Sequence, residues 1–233
     1  MKSSRPAVWI ALAIVALLAG SLSHASAQDQ KTAKKPKRAP NPAFAPITDD
    51  PALPRIMLIG DSISIGYTVA TRKALAGKVN VHRPAANCGD TNRGLEELDK
   101  WLGDGKWDVI HFNWGLHDLK RLDGKTYQVP IEEYEKNVSQ LVKRMKKTGA
   151  KLIWCSTTPV PEGCTSPARS DKDAAAYNAV SKKIMEENGV AIDDLYAFAL
   201  KQLDKIQRPA NVHFTPEGSA VLAGQVAGSI VKA

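Results

Sequence analysis

Five short apolar runs, separated by stretches of helical periodicity, constrain this chain more than any other feature. Residues 56–59, 79–81, 107–113, 151–156 and, more weakly, 190–193 read as strands. Residues 67–76 can be helical. In 131–148, Ile131, Tyr134, Val138, Leu141, Val142 and Met145 fall on one helical face, with Glu132, Lys136, Lys143 and Lys147 opposite and Thr148-Gly149 as the stop. Residues 171–187 repeat the pattern through Ala174, Tyr177, Val180 and Ile184, ending at Asn188-Gly189. A last helix starts with Thr215 as N-cap and Pro216 in its first turn, and carries Leu222, Val226 and Ile230 at four-residue spacing. Strand–helix alternation at these lengths predicts an α/β chain with a parallel sheet covered on both faces.

The first 27 residues have the form of a signal peptide. Lys2 and Arg5 precede an apolar stretch over 7–20, and Ala25-Ser26-Ala27 is a small-residue cleavage site. That stretch is shorter than the roughly 18 residues a membrane span needs. A secreted or periplasmic protein with no stable membrane insertion after signal removal is therefore expected. Residues 28–50 read as a basic, proline-rich linker, too poor in apolar surface to offset the entropy of ordering. The charge is concentrated near this end. The first 46 residues hold seven Lys/Arg and one Asp, so of 32 basic and 24 acidic residues the remainder keeps 25 and 23. That near balance gives no reason to expect a nucleic-acid partner. Residues 51–233 are left as one domain with room for a full core. Cys88, Cys155 and Cys164 are an odd count. In an oxidising compartment Cys155 and Cys164 can pair across a short loop, leaving Cys88 free. No Cys or His ligand spacing gives a metal signal.

The chemistry gathers where strands end. Gly60-Asp61-Ser62-Ile63 follows the first apolar run directly. A serine there is either an N-cap or a nucleophile beside free helix N–H groups. Asn87-Cys88-Gly89-Asp90-Thr91 comes after the second run. Asn113-Trp114-Gly115-Leu116-His117-Asp118 closes the third, and Val212-His213-Phe214-Thr215-Pro216-Glu217-Gly218 opens the last helix. These four ordered blocks resemble the SGNH hydrolases, the GDSL-type esterases and lipases. The resemblance runs from about residue 55 to the C-terminus. It implies a three-layer α/β/α sandwich, flavodoxin-like, with a five-stranded parallel sheet. It also implies ester hydrolysis without metal or cofactor. By the same resemblance Ser62 is the nucleophile and His213 the catalytic base, and the oxyanion hole is formed by the Ser62 and Gly89 N–H groups. The family's third block carries an Asn donor where this chain has His117, whose neutral imidazole can donate one hydrogen bond in its place. The family's acid, three residues before the histidine, is here Ala210. A backbone carbonyl near Pro209 or Ala210, the Asn211 side chain, or a carboxylate such as Asp193 or Asp194 must then orient His213, with the first two favoured.

Trp114 lies inside the third block, where a ring can stack on a sugar; Trp107 and Trp154 read as core. The expected function is a secreted serine esterase removing O-acetyl groups from a carbohydrate. The alternatives are a broad short-chain esterase or lysophospholipase, and a carbohydrate-binding pseudoenzyme. The expected partners are small-molecule or polysaccharide esters.

Overall fold

The computed structural model describes residues 39–233, which form one compact unit. The expected signal peptide and residues 28–38 of the expected linker lie outside the described residues. Five strands form a wholly parallel sheet: β1 (Arg55–Ile59), β2 (Asn80–His82), β3 (Val109–Phe112), β4 (Lys151–Cys155) and β5 (Ala191–Asp193), in the order β2-β1-β3-β4-β5. This is the flavodoxin-like order, whose direction reverses between β1 and β3, the place where α/β sheets open a crevice at their carboxyl ends.

The strands are continuous apolar runs because both faces are covered. Leu58, Ile59, Ile110 and Phe112 are essentially inaccessible, each contributing about 1.5–3 kcal/mol by burial. The helices are α1 (Ser62–Ala74), α2 (Thr91–Leu102), α3 (Ile131–Lys146), α4 (Asp171–Asn188), the short α5 (Leu195–Leu200) and α6 (Leu203–Ile206), and α7 (Pro216–Lys232). α1 packs extensively on α7, while α2, α3 and α4 pack in sequence on one another. In this second layer the tyrosines bury their rings and find partners for their hydroxyls. Tyr134 Oη lies 2.6 Å from Ser181 Oγ, and Tyr177 Oη donates to the Val129 carbonyl at 2.7 Å.

Four differences from the sequence expectations have physical causes. Helix α1 begins at Ser62, five residues earlier than expected, because Asp61 caps it. Helix α2 was not anticipated, although Asp90 caps it and Leu95, Leu98 and Leu102 mark its inner face. Residues 39–50, expected as the end of the linker, are held against the domain. Ala43 is buried, Asp49 contacts Arg55 and His82, and the Asp50 N–H donates to the Asn80 side chain. The Cys155–Cys164 pair does not form: all three cysteines are free, Cys155 being buried on β4 while Cys164 lies partly exposed in the loop beyond it.

Candidate active site

The turn that delivers Ser62 is made by its neighbours. A Cβ at Gly60 would lie 2.7 Å from the Ser64 Cβ, so only glycine lets the strand run this close to the helix. Asp61 is buried, and its Oδ1 accepts from the Ile63 N–H at 2.8 Å. Beneath the turn lies the Arg83 guanidinium. It donates to the Gly60 carbonyl (3.3 Å), Ser64 Oγ (3.1 Å) and Thr68 Oγ1 (2.9 Å). A buried cation is costly unless its donors are used; here they fasten the strand end to the first turn of α1.

His213 is placed by a hairpin-like fold of residues 207–214. Gln207 pairs with Phe214, and the Arg208 N–H donates to the His213 carbonyl at 3.0 Å. Ala210 takes a left-handed φ of 49° in the connecting turn. Thr215 then caps α7. The His213 ring sits with Nε2 2.8 Å from Ser62 Oγ and Nδ1 2.8 Å from Asn211 Oδ1. That same oxygen accepts the His213 backbone N–H at 2.9 Å. A backbone N–H only donates, so the atom is the amide oxygen and the ring proton must be on Nδ1. The Nε2 lone pair is thereby aimed at the Ser62 hydroxyl.

Asn211 is therefore the residue that orients His213. The two aspartates considered for this role are engaged elsewhere. Asp194 caps α5 and accepts from Ser156 Oγ. Asp193 accepts from His111 Nε2 at 3.0 Å, Gln225 and Ser229 in the core. His111, Cys155 and Asp193 come within 4.8 Å of one another, a combination able to ligate a metal. They lie on three different strands, so no sequence spacing reveals them. Both Asp193 oxygens already accept hydrogen bonds, and the cluster acts as a polar lock between β3, β5 and α7.

Burial lowers the pKa of His213 below the usual histidine value, with Arg208 and Arg169 pushing the same way and the Asp61 charge opposing. Burial likewise lowers that of His117, again opposed by Asp61. Both rings are thus neutral at pH 7, the form that His213 needs to accept a proton and His117 needs to act as a single donor. His117 is half-buried in the turn after β3 and has no hydrogen-bond partner among the described residues. The Ser62 N–H also has none there. Gly89 has φ 64°, a conformation that favours glycine, and its N–H donates to Asn87 Oδ1 at 3.0 Å.

Trp114 is not available to a substrate. It is 2% exposed. Its ring packs against Gly94 of α2, where a Cβ would come within 3.0 Å, and near Phe112. The expectation of a stacking platform fails because the chain after β3 turns this ring beneath α2. Trp107 and Trp154 are core residues, as expected. Asp118, in the same block, is also buried: its Oδ1 accepts from the Thr91 N–H (2.8 Å) and Oγ1 (2.6 Å) at the start of α2. Two grooves meet at Ser62 and His213. One, of about 640 Å³, runs between α1 and α7. The other, of about 290 Å³, is bounded by the loop 163–169. Sequence reasoning identified neither groove, because nothing in the sequence joins α1, α7 and a loop after β4.

Residues 58–221 match the GDSL-like lipase/acylhydrolase family model, and the chain belongs to that family. No curated protein matches it significantly in sequence. Among solved structures of the same fold is a lipase/acylhydrolase from Enterococcus faecalis, at 20% identity and TM-score 0.64, covering 76% of this chain and 95% of that one. Others are the acetyl xylan esterase AlAXEase (16%, 0.63, 76% and 99%) and an acetylxylan esterase from Geobacillus stearothermophilus (19%, 0.62, 76% and 94%). No helix among the described residues is long and apolar enough to cross a membrane.

Proposed function

We propose that the protein is a secreted or periplasmic serine esterase that removes O-acetyl groups from a carbohydrate. One observation carries the mechanism: a neutral imidazole whose Nδ1 proton is held by Asn211 and whose Nε2 lies 2.8 Å from Ser62 Oγ. His213 takes the Ser62 proton as the hydroxyl attacks the ester carbonyl. The tetrahedral oxyanion is held by the Ser62 N–H at the start of α1, by His117, and by the Gly89 N–H. The last donor must first exchange Asn87 Oδ1 for the oxyanion. His213 then protonates the leaving alcohol, and water releases the acyl group from Ser62 by the same route. With Asn211 in place of a carboxylate, the imidazolium gains orientation but no counter-charge from its direct partner. The buried Asp61 is the carboxylate whose charge acts on it.

The acetylated-carbohydrate assignment is supported by the acetyl xylan esterases among the structures of the same fold. A short-chain or longer-chain esterase is a second reading, favoured by the larger groove, where Ile63, Val69, Ala70 and Phe214 offer apolar wall to an acyl chain. Hydrolysis of p-nitrophenyl esters of increasing chain length decides between them: rates highest for acetate support the first, rates rising with chain length the second. Ser62→Ala and His213→Ala should each lower p-nitrophenyl acetate turnover by at least about 10³-fold. Turnover that survives Ser62→Ala would overturn the mechanism, and a wild type that binds carbohydrate without turnover would be a binding protein.

A further inference from the structure

The lining of the two grooves is predominantly cationic. Lys73 and Arg208 face the larger groove and Arg169 the smaller, and Ser62 and His213 belong to both. The catalytic pair thus lies in mid-cleft with cations on either side. None of the three cations is in an ion pair among the described residues. The one carboxylate of the lining is Asp61, which is buried and caps α1, and whose charge acts on Arg169 as it does on His213 without forming an ion pair with it. Arg169 is the best placed. Its Nε donates to the Leu116 carbonyl at 2.7 Å, which fixes the guanidinium and leaves its two terminal nitrogens for a ligand. It is close enough that its charge acts on His213 and His117.

We infer that the natural substrate is an acidic polysaccharide, with carboxylate or sulfate groups on sugar residues flanking the esterified one. The inference rests on the esterase reading above and narrows it. Arginine held by its Nε offers two further N–H donors in the fork that suits a carboxylate or sulfate. The two-sided arrangement selects a polymer. A lysophospholipid brings one phosphate and one apolar chain, and satisfies the cations of a single groove. A chain of acidic sugars running through the cleft presents an anion to Arg169 and another to Lys73 and Arg208 while its ester faces Ser62. The exposure of Lys73 and Arg208 places their contribution in encounter and register, and the half-buried Arg169 in the tighter contact.

The test compares two polymers carrying the same ester, O-acetylated polygalacturonate and O-acetylated glucomannan, with acetate release as the readout. At low salt, wild-type kcat/KM should be at least about tenfold higher on the acidic polymer. The ratio should fall toward one near 1 M salt, where screening acts within ~3 Å. Arg169→Gln and the Lys73→Gln/Arg208→Gln double variant should each lower the ratio by roughly fivefold, through KM. The wild-type salt dependence stands without any variant. A ratio near one at low salt, or one that none of these changes moves, overturns the proposal. So does a higher kcat/KM on lysophosphatidylglycerol micelles than on either polymer. Turnover of p-nitrophenyl acetate separates the two levels: an enzyme active on it but indifferent to polymer charge loses this inference alone, and one silent on every ester loses the esterase reading with it.

Discussion

Asn211→Asp changes the charge beside His213 and almost nothing else. Amide and carboxylate have the same shape, so the new Oδ1 keeps the bonds from the His213 N–H (2.9 Å) and Nδ1 (2.8 Å). When His213 accepts the Ser62 proton, its cation then meets a carboxylate instead of an amide. A hydrogen bond to a charged group contributes about 1.5–3 kcal/mol, against about 1 kcal/mol between neutral groups. Residue 211 is exposed, so water screens the added charge and the lower part of that range, about 2 kcal/mol, applies. A gain of about 1 kcal/mol in the transition state raises kcat roughly fivefold. The same interaction stabilises the imidazolium of the resting enzyme, raising the His213 pKa by somewhat under one unit. The rate depends on neutral His213, so the acid limb of the profile should move to higher pH. Initial rates of p-nitrophenyl acetate hydrolysis from about pH 5 to 9 measure both effects. An unchanged kcat together with an unmoved limb would refute the argument, because the Nδ1 proton would then be held by some other group during turnover.

Asp118 is fully buried, and burial pushes its pKa up to about 7. Its unfolded value is near 4, so between about pH 4 and 7 the folded state keeps a proton that the unfolded state releases, and stability falls as pH rises through that window. Asp118→Asn removes this penalty; its advantage in denaturant unfolding should grow from near zero at about pH 4 to roughly 4 kcal/mol above pH 7, and a pH-independent difference would contradict the assignment. Asp61→Asn can still cap α1 but removes a charge that raises the His213 pKa. It should shift the acid limb to lower pH and reduce kcat severalfold, measured on the same ester. Gly115→Ala forces a side chain into φ 147°, against the Thr157 side chain. A loss of at least about 2 kcal/mol in unfolding free energy is expected.

The order of elements was legible because buried parallel strands are unbroken apolar runs and their covering helices are amphipathic. Ile131, Tyr134 and Leu141 mark α3 by spacing alone. Helix α2 escaped because its inner face is sparse and includes Gly94, a position set by the Trp114 ring, which no local pattern encodes. The same contact explains the error at Trp114: motif position places the residue at the right strand end, but the direction of the side chain depends on a helix packed above it. Ser62 and His213 were legible because a Gly turn after a strand and a capped terminal helix each leave a local signature. That Asn211 orients His213, rather than Asp193 or Asp194, was not. The choice depends on a turn at Ala210 and on a core network joining His111 to Asp193, and both are tertiary facts. The cations flanking the cleft were invisible for a similar reason, since α1, α7 and the loop after β4 meet only when the sheet has formed.

Ser62 and His213 stand at opposite ends of the domain, 151 residues apart, on the first helix and just before the last. A growing chain that has not yet emitted residue 213 holds a complete hydroxyl and nothing to deprotonate it. On the mechanism proposed above, chemistry therefore waits until residue 213 has been made and α7 has closed against α1. Copies that stop before residue 213 should be silent, whatever part of the sheet they manage to form. Activity of this kind would double as a report that the chain was made from Ser62 through His213.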